Sequence, residues 1–261
     1  MKTEIRLGPA GLGGVKDAVK NLQTYHELGL KACEIAFTYG VYIKPEQTKE
    51  IKEEAKKLDI KLSIHAQYWI NLNSKEKKKI QESKKRILEC CKIADLLGAY
   101  CVVFHPGYYG GMDKQETYEN IKKEILEMQD EIKKNNWKVK LAPETTGKVN
   151  VFGDIGEILK LVKETKCFFT VDFAHLLARE QGKISYKEIY DNFKEFDNLH
   201  CHFSGIVYGK KGERSHKITP EEEIKKLLSI LPNNKNIVII NESPDPVGDS
   251  VKSLKIWNKL N

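Results

Sequence analysis

Residues 61–105 read KLSIHAQYWINLNSKEKKKIQESKKRILECCKIADLLGAYCVVFH and contain a complete strand–helix–strand unit. Short apolar runs at 61–66 and 100–105 predict two strands, and the segment 74–98 between them predicts an amphipathic helix. Apolar side chains recur in this segment at three-and-four spacing, so they share one face of the helix opposite Lys, Glu and Arg. A serine begins the segment and a glycine ends it, as is typical of helix boundaries.

The same alternation of apolar run and amphipathic segment extends over the whole chain. Strands that are apolar on both faces are typical of buried parallel sheets. Eight such units in 261 residues predict an α/β protein, a (β/α)8 TIM barrel formed by a single domain over residues 1–261. An open doubly wound sheet is the structural alternative. The remaining predicted strands are 4–8, 32–37, 138–144, 167–172, 199–203 and 237–242.

Composition and charge narrow the class of protein. Apolar residues make up 40% and charged residues 31% of the chain, which is typical of a globular protein with a well-solvated surface. We expect no membrane span and no signal peptide, and therefore a cytoplasmic location. None of the six cysteines forms a CxxC pair, so buried free thiols are expected. The net charge of +7 favours a polyanionic partner only weakly, because lysines alternate with glutamates.

Histidines and carboxylates recur at the carboxyl ends of the predicted strands or in the loops that follow. Barrel enzymes place their chemistry at these strand ends. Any one of these residues has a plainer explanation, since a strand-end histidine can be structural and Asp172 could cap a helix beginning near Phe173. Five of the seven histidines belong to the set, and six strands repeat the pattern. The set is His65, His105, Glu144, Asp172, His175, His202, His216 and Glu242.

This combination of side chains predicts a metal site. Imidazole and carboxylate together bind zinc or a similar transition metal. Carboxylates that converge at one barrel mouth repel one another and take up protons, and divalent cations remove that penalty. His26 lies in a predicted helix, and His200 has the same strand parity as His202, so it could face the barrel interior or act as an outer partner of a ligand; we assign neither as a ligand.

Seven short motifs run in order through most of the chain. Together they resemble the endonuclease IV family of apurinic/apyrimidinic DNA endonucleases, within the xylose-isomerase-like barrel superfamily. The run HxxYxINL and the pair DxxH are specific signals when they occur together. The motifs are SIHAQYWINL (63–72), VFHPG (103–107), APET (142–145), VDFAH (171–175), HFSG (202–205), SH (215–216) and INESPD (240–245).

The resemblance implies up to three Zn²⁺ ions and a catalytic role for Glu144. Mn²⁺ or another divalent cation could use the same ligands. By position, His65, His105 and Glu144 would bind the first ion, and His175 and His216 would bind the third. The second would have four ligands, one of them the bridging Glu144. These four are Glu144, Asp172, His202 and Glu242.

The chain departs from the family pattern beside its last histidine. The family has an aspartate two residues before that histidine, and this chain has Arg214 there. Glu213 is the neighbouring carboxylate and is therefore a candidate substitute ligand. If it does not bind, the third site would be weak or empty, and Arg214 could contact phosphate instead.

The resemblance also implies a monomer that incises double-stranded DNA at abasic sites during base excision repair, with no membrane partner. Tyr68 and Trp69 match a family loop, and Tyr39 or Tyr42 could act as wedges between bases. Packing of these aromatic side chains against the barrel rim is the alternative. The basic residues that would hold phosphates, or else form a solvated loop, are Lys210, Lys211, Arg214 and Lys217.

Two other functions stay open at this stage. A sugar isomerase or epimerase of the same superfamily would use one or two divalent metals, with Glu144 and Glu242 as acid/base groups or ligands. His175, His216, the HAQYWINL run and the basic loop favour DNA, whereas the loss of the family aspartate favours the sugar enzyme. A barrel that has lost catalysis but still binds damaged DNA is the second alternative.

Overall fold

Ten strands and nine α-helices lie within residues 4–261, the part of the chain that this computed structural model describes. The strands are β1 (Ile5–Pro9), β2 (Ala32–Ala36), β3 (Lys61–His65), β4 (Cys101–Phe104), β5 (Lys140–Pro143), β6 (Val171–Asp172), β7 (Asn198–Phe203), β8 (Gly205–Gly209), β9 (Gly212–Lys217) and β10 (Asn236–Asn241). The α-helices are α1 (Ala18–Glu27), α2 (Thr48–Lys57), α3 (Lys77–Leu97), α4 (Lys114–Lys134), α5 (Ile155–Thr165), α6 (Phe173–Arg179), α7 (Tyr186–Phe193), α8 (Glu221–Leu228) and α9 (Pro246–Leu260).

Eight of these strands form a closed parallel barrel. One ladder has the order β1-β10-β7-β6, and the other has the order β2-β3-β4-β5. A parallel bridge between Ala10 and Glu34 joins β1 to β2, and a second between Glu144 and Thr170 joins β5 to β6. The predicted (β/α)8 barrel is therefore confirmed, and the open doubly wound sheet is wrong because these bridges close both edges.

The structure moves several predicted boundaries. Helix α3 begins at Lys77, three residues after Ser74, whose hydroxyl accepts the Glu76 N–H in the preceding turn. Ladder pairing in the predicted strand 167–172 is limited to β6, preceded by the single bridge at Thr170, although the apolar run is buried from Cys167 onward except at the partly buried Phe168. An apolar run indicates burial and not backbone pairing, which explains why the predicted strand was longer than the observed one.

The segment after β7 is also more ordered than predicted. The sequence predicted a loop there, but β8 and β9 pair as an antiparallel hairpin. This hairpin contacts helix α6 and stands at the carboxyl end of the barrel. Its position brings a ninth and a tenth strand beside the ends of the barrel strands, where the predicted site residues lie.

Side chains alternate in direction along each strand, and so they form one core outside the barrel and another inside it. Side chains such as Leu62 and Ile64 point outward and join the large apolar core under the helices. Those at alternating positions, such as Ser63 and His65, point into the barrel. All six cysteines are free and buried, as predicted. Within residues 4–261, no helix is both long enough and apolar enough to cross a bilayer.

Candidate metal centre at the carboxyl end of the barrel

Strand alternation brings the predicted site residues to one mouth of the barrel. In β7, His202 points inward because Cys201 and Phe203 belong to the outer core. The parallel register places His202 opposite Asp172 on β6. The structure thus brings together residues from β3 to β7, β10 and the hairpin that are up to 177 positions apart along the chain, from His65 to Glu242.

Glu144 lies at the middle of this group, immediately after β5. Its side chain is fully buried, and both carboxylate oxygens face imidazole nitrogens. Oε2 lies 3.2 Å from His65 Nε2 and 3.0 Å from His105 Nε2. Oε1 lies 3.2 Å from His202 Nδ1 and 3.3 Å from His175 Nδ1. One carboxylate therefore contacts four histidines, a geometry that suits a ligand shared between neighbouring cations.

A second group of donors adjoins it on the other side of Glu144. Ligand atoms of Glu144, Asp172, His202 and Glu242 all lie within 4.8 Å of one another. Asp172 Oδ1 accepts the backbone N–H of His175 at 2.7 Å, so the predicted cap of helix α6 is present. Its other oxygen, Oδ2, is buried without any hydrogen-bond partner in the described chain. One oxygen of Asp172 thus serves the fold, and the other, 3.2 Å from His175 Nδ1 but without a hydrogen bond, can face a ligand.

The third group depends on a bulge in the hairpin. The register between β8 and β9 shifts by one residue between Val207 and Tyr208, and Arg214 has no strand partner of its own. The extra residue reverses the alternation, so Glu213 rather than Arg214 shares a face with His216. Glu213 lies 3.4 Å from His175 Nε2 and 4.0 Å from His216 Nε2. Glu213, the carboxylate that completes this group, is therefore one position before Arg214, where the endonuclease IV family has its aspartate.

Backbone carbonyls orient three of the imidazoles toward these groups. The Nδ1 atoms of His65, His175 and His216 lie 2.7, 3.1 and 3.0 Å from carbonyl oxygens, which can accept their N–H. In each ring this leaves the Nε2 lone pair directed at the shared space. A second partner that sets the tautomer in this way is typical of metal-binding histidines.

The charges within the site explain why cations suit it. Burial lowers the pKa of His65, but Glu144 outweighs burial and raises it to about 9. Burial raises the pKa of Glu144, whereas His202 and the other imidazoles bring it well below its usual range. The Glu144 carboxylate thus stays ionised because protons on imidazoles balance its charge, whereas burial raises the pKa of Asp172. Divalent cations would supply the same charge and would displace those protons.

The aromatic residues predicted to read DNA occupy different surroundings. Tyr39 is 81% exposed, and its ring centroid lies 6.0 Å from that of Trp69, which is 48% exposed. Tyr68 lines the mouth of the barrel. Tyr42 instead packs edge-on against Phe37 and donates its hydroxyl to a backbone carbonyl, so it shows the loop packing that was the alternative.

The predicted basic residues lie on the hairpin rather than in the cavity. Lys210 and Lys211 occupy its turn. All four basic residues of this segment are solvent-exposed, and the guanidinium of Arg214 also lies against Gly209. The mouth itself is a cavity of about 540 Å³. Lys148 also lines it, and this residue was not predicted because it lies in a loop without a motif.

A buried carboxylate below the mouth was also missed. Glu34 lies on β2 inside the barrel and is fully buried. The sequence contained a signal for it, because a glutamate within the apolar run ACEIAF is costly to bury without a partner. His200, which we did not assign as a ligand, contacts it with Nε2 at 2.9 Å from the carboxylate.

Comparison with known proteins gives a family and several relatives. The model of the family described as xylose isomerase-like TIM barrel matches residues 22–260. The uncharacterized protein MJ0133 of Methanocaldococcus jannaschii is 37% identical over 276 aligned residues, which cover all of both chains. The protein "Probable endonuclease 4" of Aquifex aeolicus is 28% identical over 160 residues, covering 60% of this chain and 56% of that protein.

Solved structures share the fold at lower identity. Endonuclease IV from Thermus thermophilus superposes with a TM-score of 0.74 and 19% identity, covering 98% of this chain and 100% of that one. D-psicose 3-epimerase from Clostridium cellulolyticum does so with a TM-score of 0.69 and 15% identity, covering 98% and 99%. Both superpositions support the same barrel fold. They do not distinguish a nucleic-acid substrate from a sugar, so that distinction depends on the residues of the site.

Proposed function

The chain belongs to the xylose isomerase-like TIM barrel family, and we propose that it is a metal-dependent endonuclease that hydrolyses the phosphodiester 5′ to an abasic site in double-stranded DNA. The observation that carries this proposal is the third donor group, formed by His175, Glu213 and His216. A sugar isomerase or epimerase needs one or two metals, so a third group at the mouth favours phosphodiester hydrolysis. The 28% identity to the endonuclease 4 protein supports the same choice.

The donor atoms in the three groups fit divalent cations. Imidazole nitrogen and carboxylate oxygen suit Zn²⁺, and Asp172 Oδ2 is a buried acceptor without a hydrogen-bond partner in the described chain. His65, His105 and Glu144 would hold one ion, and His175, Glu213 and His216 another. Glu144 would also contribute to the ion held by Asp172, His202 and Glu242. When bound there, such ions would lower the pKa of water toward about 7 and neutralise charge on the phosphate.

The protein's own residues would position the substrate. Glu144, fixed by four imidazoles, would keep the donor groups at a constant spacing. Lys148 lines the cavity and would attract the phosphate backbone. Tyr39 and Trp69 form an exposed aromatic pair beside the mouth that bases could stack on. Abasic sites expose such faces, because the missing base leaves its neighbours partly unstacked.

An incision assay tests the function. We expect the zinc-loaded protein to cut a labelled duplex once on the 5′ side of an abasic analogue, leaving a 3′ hydroxyl, and to leave the intact duplex uncut. Binding should weaken steeply with salt. If elemental analysis confirms metal loading and no incision occurs, the proposal is wrong. Salt-sensitive binding without incision would then indicate the barrel that has lost catalysis.

The sugar enzyme is the second candidate, and the size of the cavity favours it. A space of about 540 Å³ would enclose a hexose, and Glu242 lines it, with a ligand atom of Glu144 within 4.8 Å of that carboxylate. Ketohexose epimerisation by the same metal-loaded preparation, without any DNA incision, would establish this candidate instead.

Replacing Glu213 tests the third group. We expect E213Q to bind about one metal ion fewer per chain than the unmodified protein, because an amide is a weaker metal ligand than a carboxylate. The substitution R214Q is the matched control, since the bulge turns this neighbour away from the site. Elemental analysis after gel filtration measures both. A metal count that falls in R214Q but not in E213Q would contradict the assignment.

Replacing Trp69 tests the aromatic rim. We expect W69A to bind the abasic duplex about 5- to 150-fold more weakly, since base–aromatic stacking contributes about 1–3 kcal/mol per base. W137A is the control, because Trp137 precedes β5 and therefore lies at the opposite end of the barrel. Fluorescence anisotropy at constant salt gives both dissociation constants. Equal affinity of W69A and the unmodified protein would remove Trp69 from the DNA interface.

A further inference from the structure

Below the candidate metal centre, the barrel interior contains a column of polar side chains. Glu34 occupies its middle, at an inward position of β2. Ser63 on β3 and His200 on β7 reach it from opposite sides of the barrel, and Tyr100 contacts His200 from below. Glu34, Ser63 and His200 are each fully buried, so water cannot satisfy their polar groups.

The hydrogen bonds in this column have a single consistent direction. The Tyr100 hydroxyl donates to His200 Nδ1, which leaves Nε2 of that ring to donate to Glu34 Oε2 at 2.9 Å. Ser63 Oγ donates to the same oxygen at 2.8 Å. Glu34 Oε2 is thus fully used by two donors.

The other oxygen of Glu34 faces a candidate ligand of the metal centre. Glu34 Oε1 lies 2.9 Å from His202 Nε2, although the ring N–H is not well aligned with that oxygen. Neither atom has any other hydrogen-bond partner in the described chain. Leaving both unsatisfied would cost about 1–3 kcal/mol each, so a small ring rotation that aligns them is strongly favoured.

The opposite nitrogen of the same ring points into the metal centre. His202 Nδ1 lies 3.2 Å from Glu144 Oε1 and 3.4 Å from Glu242 Oε2. A ring that donates one N–H to a carboxylate presents its other nitrogen as a lone pair in a fixed direction. Unlike His65, His175 and His216, this histidine has a carboxylate as its outer partner in place of a backbone carbonyl.

We propose that Glu34 is a positioning residue for the metal centre: it accepts the Nε2–H of His202 and so presents Nδ1 to the cation bound with Glu144, Asp172 and Glu242. This rests on the metal binding in the proposed function, but it does not require that the substrate be DNA. Outer partners of this kind typically change metal affinity about 10- to 100-fold. Tyr100, His200 and Ser63 in turn hold Glu34 in place.

The substitution E34Q tests the proposal. Three donors converge on Glu34, from Ser63, His200 and His202, and an amide offers only one oxygen and adds two donors of its own. We expect E34Q to bind Co²⁺ about 10- to 100-fold more weakly than the unmodified protein in a chelator competition. The visible absorption bands of the bound Co²⁺ should also shift, because the His202 ring is no longer held in one orientation.

E124Q is the matched control. Glu124 is another buried carboxylate, on helix α4, and it pairs with Lys84 at 2.8 Å, outside the barrel. E124Q should lose stability but keep the Co²⁺ spectrum and affinity. If E34Q keeps the Co²⁺ spectrum and the Co²⁺ affinity as well, the inference about Glu34 is wrong. Incision of the abasic duplex by E34Q would then show that the proposed function does not depend on this inference.

Nitrogen-15 NMR of histidine in the zinc-loaded, unmodified protein tests the same point without any substitution. We expect His202 to carry a proton on Nε2 and the metal on Nδ1. Metal bound at Nε2 would overturn the proposal, since Glu34 would then be a ligand of the same ion or its neighbour. Failure of E34Q to fold leaves this measurement as the deciding one.

Discussion

Replacing Glu144 with glutamine is expected to lower the rate of abasic-site incision by at least about 10³-fold, equivalent to about 4 kcal/mol of transition-state stabilisation. The two carboxylate oxygens of Glu144 face imidazoles of the first, second and third donor groups. An amide removes one negative charge and turns one of the two acceptors into a donor. That donor would oppose the N–H groups or the cations that the carboxylate now faces.

The same substitution should leave the fold intact. Glutamine and glutamate have nearly the same shape, and the backbone N–H of Glu144 keeps its bond to the Phe104 carbonyl at 3.0 Å. Circular dichroism and gel filtration should therefore match the unmodified protein, while single-turnover incision falls. E124Q serves again as a control, because it removes a buried carboxylate far from the mouth. Incision by E144Q within tenfold of the unmodified rate would remove Glu144 from the centre of the mechanism.

Removing the metals is the second prediction with a large effect. We expect chelation to abolish incision and to lower the melting temperature by about 8–16 °C. A ligand present at about 1,000 times its dissociation constant stabilises the folded state by about 4 kcal/mol. Each kcal/mol shifts the melting temperature of a chain of this size by about 2–4 °C. The buried carboxylates of Glu144 and Asp172 are the physical source of this dependence, because cations balance their charge.

Differential scanning calorimetry before and after chelation measures the shift. Adding back Zn²⁺ should restore both the melting temperature and incision, which separates metal loss from irreversible damage. A chelator already saturated with Zn²⁺ is the control for effects of the chelator itself. If the melting temperature stays constant while elemental analysis shows that the metal has gone, the three donor groups do not bind the ions assigned to them.

The sequence was sufficient to predict the eight barrel strands, their order and the residues at their ends. These features depend on residues that are neighbours along the chain. Burial on both faces makes a parallel strand apolar along its length, and the first polar residue after such a run marks the strand end. His65, His105, Glu144 and Glu242 were located in this way. The assignment of individual ligands to individual ions stays a prediction.

The hairpin and the polar column could not be predicted, because both depend on contacts between distant residues. Nothing within GKKGERSHKIT reveals that it pairs with 205–209, or that a register shift there turns Glu213 inward and Arg214 outward. Glu34 stands out in its strand as an isolated charge, but its partner His202 is 168 residues away. Such pairs become visible only when the barrel closes.

The sequence by itself therefore determined the fold class and the set of candidate metal-ligand side-chain types, since both follow from periodic burial and from the residues that interrupt it. Tertiary structure alone decided which carboxylate lies beside His175 and His216, and which group faces the outer nitrogen of His202. The physical reason is that strand alternation is local, whereas a bulge or a hydrogen bond across the barrel depends on register between segments that meet only in the folded chain.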